Sequence, residues 1–203
     1  MQTLGAVIFP GFELLDLYGP LEMFGMLPER VEIRLIAETA APVASGAGPR
    51  AVADDLFEAG RDYDLLLVPG GPGTRREVGN DKLLAWLRTQ GEAASQVVTV
   101  CTGSALLART GLLDGRKATT NKAAFAWVTQ QGPAVDWRAR ARWVEDGKYF
   151  TSSGVSAGTD MALALIARLW GRDTAEQVAI WAEYHWQNDP AQDAFAEHYD
   201  LPA

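Results

Sequence analysis

The chain has 203 residues, 48% of them hydrophobic and 22% charged, a globular composition long enough for one domain with a sizeable core. Its formal net charge of -8, from 18 basic and 26 acidic residues, repels phosphate backbones and argues against a nucleic-acid partner. The single cysteine excludes an internal disulfide, the first ten residues read as a strand instead of a signal peptide, and no apolar run is long enough to span a bilayer. The expectation is one cytoplasmic domain over 1–203 that does not associate with membranes.

In chain order, short apolar runs at 4–9, 33–37, 65–68 and 97–100 do not alternate, which suits parallel strands covered on both faces. Helical patterns at 14–27, 81–92 and 104–110 fall between and after them, so the layout predicts an α/β layered sheet with right-handed crossovers. An amphipathic stretch over 122–131 stops at Gly132-Pro133. Two runs, 140–145 and 149–152, read as a hairpin turning at Asp146-Gly147. Arg138, Arg140 and Arg142, spaced by two, would share one face of a strand at a solvated edge. Two last helices are expected, over 157–170 and from 174 to 186.

The chemistry concentrates at predicted strand ends, where open α/β sheets build their sites. Val100-Cys101-Thr102-Gly103-Ser104 takes a buried strand straight into a helix. Cys101 on such an elbow is lifted toward a helix N-terminus whose free N–H groups favour thiolate. A small buried hydrophobe is the competing reading of a lone cysteine. Asp16, set among Leu14, Leu15 and Leu17, would have its pKa raised by desolvation and could donate a proton. A surface acid at a helix start is the commoner reading of such a residue from sequence. Pro69-Gly70-Gly71-Pro72-Gly73 lets backbone N–H groups approach developing negative charge. Arg76 stands where a dinucleotide fingerprint needs its last glycine. The small polar run Thr151-Ser152-Ser153-Gly154-Val155-Ser156 either lines a pocket or caps the following helix, with the cap preferred.

Three of these segments occur together. Phe9-Pro10-Gly11 leading to Leu15-Asp16 and Gly19-Pro20, then Pro69-Gly70-Gly71, then Val100-Cys101-Thr102-Gly103-Ser104 resemble the ThiJ/PfpI superfamily. Gly111-Leu112-Leu113-Asp114-Gly115 through Thr120, and Ser153 through Asp160, extend the resemblance, which lies nearest to the isonitrile hydratases. It implies a class I glutamine amidotransferase-like fold: an α/β three-layer sandwich with a mostly parallel, flavodoxin-like central sheet. It also implies Cys101 as nucleophile, Asp16 as the acid beside it, and the Gly71 and Thr102 N–H groups as an anion-stabilising pair. Thr102 would touch the thiol or substrate through its hydroxyl. Asn121, Ser153 and Val155 become pocket candidates, with Phe12 and Tyr18 as further walls.

The implied reaction is hydration of a small-molecule isonitrile to an N-substituted formamide, with no cofactor or metal, in a homodimer. Regulators of this superfamily append a helix-turn-helix domain, and a chain ending at Ala203 is expected to lack one. Many relatives carry a His after the Ala-Thr-Thr segment, whereas here Asn121-Lys122 follows, which disfavours glyoxalase-type conversion of methylglyoxal to lactate. A thiol-based redox-sensing or protein-protective role is the alternative outside enzymes. Amidotransferase chemistry is disfavoured because Gln187 replaces the needed Glu after His185, and 180–185 reads as helix. His185 and His198 with one cysteine do not make a zinc site.

Overall fold

The computed structural model describes residues 1–201. β1 (Gln2–Val7), α1 (Leu14–Gly25) and β2 (Val31–Ala37) come first, followed by the short strands β3 (Val43–Ala44), β4 (Arg50–Ala51) and β5 (Asp55–Leu56). The middle of the chain supplies β6 (Leu65–Val68), α2 (Thr74–Glu77), α3 (Asp81–Ala93), β7 (Gln96–Val100) and α4 (Gly103–Arg109). Then come β8 (Lys117–Ala118), α5 (Phe125–Gln131), β9 (Asp136–Trp137), β10 (Trp143–Asp146) and β11 (Tyr149–Ser152). Three helices close the chain: α6 (Ala157–Trp170), α7 (Arg172–Trp181) and α8 (Phe195–His198).

The unalternating runs form the centre of a seven-stranded sheet, ordered β10-β11-β7-β6-β1-β2-β5. All its neighbours are parallel except the β10–β11 hairpin, which turns at Gly147 with φ 64. Helices α1, α6 and α7 pack on one face and α2, α3, α4 and α5 on the other, so every residue of β6 is buried. α3 shows how local sequence fixes such a helix. The Leu83 N–H donates to Asn80 Oδ1 at 3.1 Å, capping the first turn, and Leu83, Leu87, Gln90 and Gly91 form its buried stripe. The expected α/β three-layer sandwich forms.

Register then positions the site. Val68 of β6 pairs with Thr99, and Val100 of β7 with Ser152, so three neighbouring strands finish almost level. The Glu13 N–H donates to the Gly70 carbonyl at 2.9 Å, tying the start of α1 to the end of β6.

Several elements differ from the sequence expectation. β1 ends at Val7, with Ile8 and Phe9 buried beyond it. α5 starts at Phe125, because the Ala124 N–H donates to Asn121 Oδ1 at 2.9 Å and Lys122 turns inward, 3% exposed. α7 stops at Trp181, and His185 lies outside any helix. There Glu183 takes φ 49 while the Tyr184 hydroxyl and the Gln187 N–H donate to Asp160 at 3.0 and 2.9 Å, drawing the chain off the helical path. β10 starts only at Trp143, because the Arg142 N–H leaves the ladder to donate to the Pro190 carbonyl at 2.9 Å. Arg142 is not on a solvated edge. It is half-buried against Asp160 and Asp193, while Arg138 and Arg140 stay at the surface.

Candidate active site

Cys101 is the one site residue forced out of ordinary backbone geometry. Its φ is 57, in the left-handed region that a side chain with a Cβ occupies at a cost of about 1–3 kcal/mol. The surroundings hold it there. Its N–H lies 3.2 Å from both the Ser152 and Ser153 carbonyls, and its own carbonyl accepts from Thr120 Oγ1 at 2.9 Å and Ser104 Oγ at 3.0 Å. This is the strand–helix elbow expected from the sequence.

The charge state differs from the one a helix N-terminus alone would give. Cys101 is 6% exposed, and burial pushes its thiol well above the usual range. The Asp16 carboxyl raises it further, and the Thr102 N–H pulls back only in part. α4 has seven residues, and its dipole does not offset the lost hydration.

Asp16 has no exposed surface, so the surface-acid reading does not hold. The Gly70 N–H donates to Asp16 Oδ2 at 3.0 Å, whereas Oδ1 has no hydrogen-bond partner. Burial raises its pKa to about 7, against the Gly70 N–H and the Cys101 thiol, which both favour the carboxylate. Gly70 makes this convergence possible. A Cβ there would lie 2.6 Å from the Thr102 nitrogen and 2.8 Å from Asp16 Oδ2. The site therefore brings a thiol and a carboxyl together, away from water, with too few donors to neutralise both as anions.

Gly71 differs from its expected role. Its N–H donates to Thr102 Oγ1 at 3.0 Å, and the Thr74 hydroxyl lies 3.0 Å from the same oxygen. The expected pair of free N–H groups is thus not formed: Gly71 is engaged with Thr102, and the Thr102 N–H and hydroxyl both face the thiol. Thr74 and Thr120, which carried no role in the sequence reading, belong to this scaffold.

A cavity of about 400 Å³ opens on Cys101 and Thr102, with Gly71, Arg75, Asn121 and Val155 among its walls. Asn121 and Val155 stand where pocket residues were expected. Ser153 supplies its carbonyl to Cys101 and lines the neighbouring cavity. The run before α6 makes no side-chain cap, and its residues 153–156 line that neighbouring cavity. Phe12 is wholly buried and Tyr18 faces solvent, and neither lines the cavity. The guanidinium of Arg75 sits 4.2 Å from the centre of the Trp127 ring. His185 and His198 are both exposed and away from the cavity. Among the described residues no cluster of three or more His, Cys, Asp or Glu side chains is arranged to hold a metal ion, and no helix is long and apolar enough to cross a membrane.

Fold and site together define a class: an α/β sandwich with a cysteine on a strand–helix elbow against a buried acid. The chain matches the DJ-1/PfpI family over residues 5–168 and belongs to it. An isonitrile hydratase from Pseudomonas putida is 37% identical over 183 residues, covering 89% of this chain and 78% of that protein. The HTH-type transcriptional regulator GbdR of Pseudomonas aeruginosa is 30% identical over 183 residues, which is 88% of this chain but 49% of the regulator. A solved THiJ/PfpI family protein from Pseudomonas syringae superposes with a TM-score of 0.80 at 33% identity, covering 95% of this chain and 78% of that one.

Proposed function

We propose that this protein is an isonitrile hydratase, adding water to R–NC to give the N-substituted formamide with Cys101 as nucleophile and no cofactor. The observation that carries this is the Cys101–Asp16 pair: a thiol against a carboxyl whose pKa is about 7, in a cavity without histidine. Similarity to the Pseudomonas putida isonitrile hydratase supports it.

The pair works with one shared proton. Passing it from sulfur to Asp16 gives thiolate and neutral acid. The sulfur then bonds to the terminal isonitrile carbon, and Asp16 protonates that same carbon, giving the thioimidate R–N=CH–S–Cys101. Water adds to this carbon while its proton passes to nitrogen, forming R–NH–CH(OH)–S–Cys101. Collapse breaks the C–S bond, releases R–NH–CHO and returns the hydroxyl proton to the pair. The Thr102 N–H and hydroxyl stabilise sulfur while it carries charge.

Two alternatives carry less support. Asn121 occupies the region where methylglyoxal chemistry would use a histidine. A thiol held protonated by burial is a slow target for peroxide, which disfavours a redox sensor. Incubation with alkyl and aryl isonitriles should release the matching formamides, detected by mass spectrometry, and Cys101→Ala should release none. Absence of formamide from every isonitrile, with two oxygens gained on Cys101 in mild peroxide, would move the assignment to the redox role.

A further inference from the structure

Beside the Cys101 cavity lies a second hollow of about 290 Å³ that the reaction as described does not use. We propose that it is the tail-binding lobe of the Cys101 site, selecting substrates whose reacting group carries an uncharged apolar chain or ring. This rests on the reading of Cys101 as the reacting group, and four observations support it.

The two hollows share Asn121, Ala123 and Val155 in their walls, so they lie on either side of one thin partition. Gly154 stands in that partition, and a Cβ added to it would come within 3.2 Å of Cys101 Sγ and collide with the Asn121 amide. Because Gly154 bears no side chain, the Asn121 amide packs directly against it beside Cys101 Sγ, so the route from sulfur into the second hollow runs over the shared rim at Ala123 and Val155. The far wall is unusual for a water-facing surface. Leu15, Phe195 and Tyr199 are 45%, 57% and 46% exposed, and all three line this one hollow.

This wall is held in place. Asp193, 4% exposed, accepts the Phe195 N–H at 2.9 Å, donates its own N–H to the Arg140 carbonyl at 2.7 Å, and lies 3.7 Å from the Arg142 guanidinium. α8 is thereby pinned beside the site although its outer side chains face water. Finally, the lining offers no available charge. Its one ionisable amine, Lys122, directs Nζ to Thr119 Oγ1 at 2.9 Å and the Ala141 carbonyl at 2.5 Å. An uncharged apolar tail is the occupant these walls fit.

The test uses Cys101 alkylation, which does not require isonitrile turnover. Rates with N-methyl- and N-hexylmaleimide are compared, each normalised to the same reagent reacting with glutathione. Cys101 should favour the hexyl reagent by about tenfold, as expected for burial of a few methylenes. Phe195→Ala and Tyr199→Ala should each cut that preference by about threefold or more. Ile180→Ala, an exposed apolar position outside the hollow, should leave it unchanged. The kcat/KM ratio of n-hexyl to methyl isonitrile should follow the same order.

Equal reagent preference in the wild type and the Phe195 and Tyr199 variants overturns the lobe. So does a Phe195→Ala protein that keeps its preference but loses self-association in sedimentation, since a second copy would then cover this face. A strong, variant-sensitive maleimide preference in a protein that hydrates no isonitrile supports the lobe and removes the hydratase reading.

Discussion

Asp16 and Asp160 occupy matching positions, each in the first turn of a helix and each without exposed surface. Their surroundings are opposite. Asp160 receives two N–H groups from Arg142 at 2.8 and 2.5 Å, the Tyr184 hydroxyl at 3.0 Å and the Gln187 N–H at 2.9 Å. Asp16 receives one N–H from Gly70, and its other oxygen has no partner. A buried carboxylate compensated by a cation and two further groups is part of the architecture, tying the segment after α7 to α6. One left with a single donor beside a thiol keeps its proton close to neutrality and is free to trade it.

The comparison breaks first through Asp160. Asp160→Ala leaves the half-buried Arg142 with only the more distant Asp193, at 3.7 Å, for charge compensation. Removing one partner of such a pair typically costs about 3–5 kcal/mol, a large part of a domain's stability. Urea titration should show that loss, together with release of the C-terminal segment to protease. A variant as stable as wild type would mean that Asp160 does not hold this region.

Asp16→Asn should do the reverse: keep the fold and lose the chemistry. Loss of a positioned general acid costs about 10²–10⁴ in kcat/KM. Stability supplies the independent readout. The folded pKa of Asp16, about 7, lies above its ordinary 3.8, so the native state binds the extra proton. Stability is fully present below 3.8 and declines as pH rises toward about 7, by a few kcal/mol on the pKa scale. Asp16→Asn should flatten that decline, so the variant gains on wild type as pH rises. Removing the neighbouring negative charge should also lower the pH at which Cys101 becomes alkylated. An unchanged stability profile would show that Asp16 is not the group titrating there.

The fold was legible because its central strands are unalternating apolar runs, which leave few options besides a covered parallel sheet. Cys101 and Asp16 stood out for a related reason: each is a reactive residue type embedded in hydrocarbon sequence. What could not be read depended on geometry between distant residues. The Gly71 N–H is engaged because Thr102 adopts a rotamer pointing at it across 31 residues of chain. A place at a helix start favours the thiolate, but the desolvation and the Asp16 carboxyl that raise the thiol's pKa act through packing, which the local sequence does not show. The end of α7 and the role of Arg142 escaped notice because both follow from Asp160, whose partners lie 18 to 27 residues away. No local propensity encodes that closure.

Lys122 sharpens the comparison from the cationic side and carries the smallest expected effect. It is buried beside the Asp160 cluster, but its ammonium is bonded only to a hydroxyl and a carbonyl. Burial lowers its pKa to about 8, with Asp193 opposing the shift and Arg142 adding to it. The folded value is below the ordinary 10.5, so the unfolded chain binds more protons in the interval between them. Native stability should therefore rise slightly as pH climbs from about 8 to 10.5, and Lys122→Met should remove that rise. Pairing explains the contrast. Arg142 meets two carboxylates, whereas Lys122 meets none directly. A rise that persists in Lys122→Met would assign the titration to another group and remove Lys122 from the comparison with Asp16.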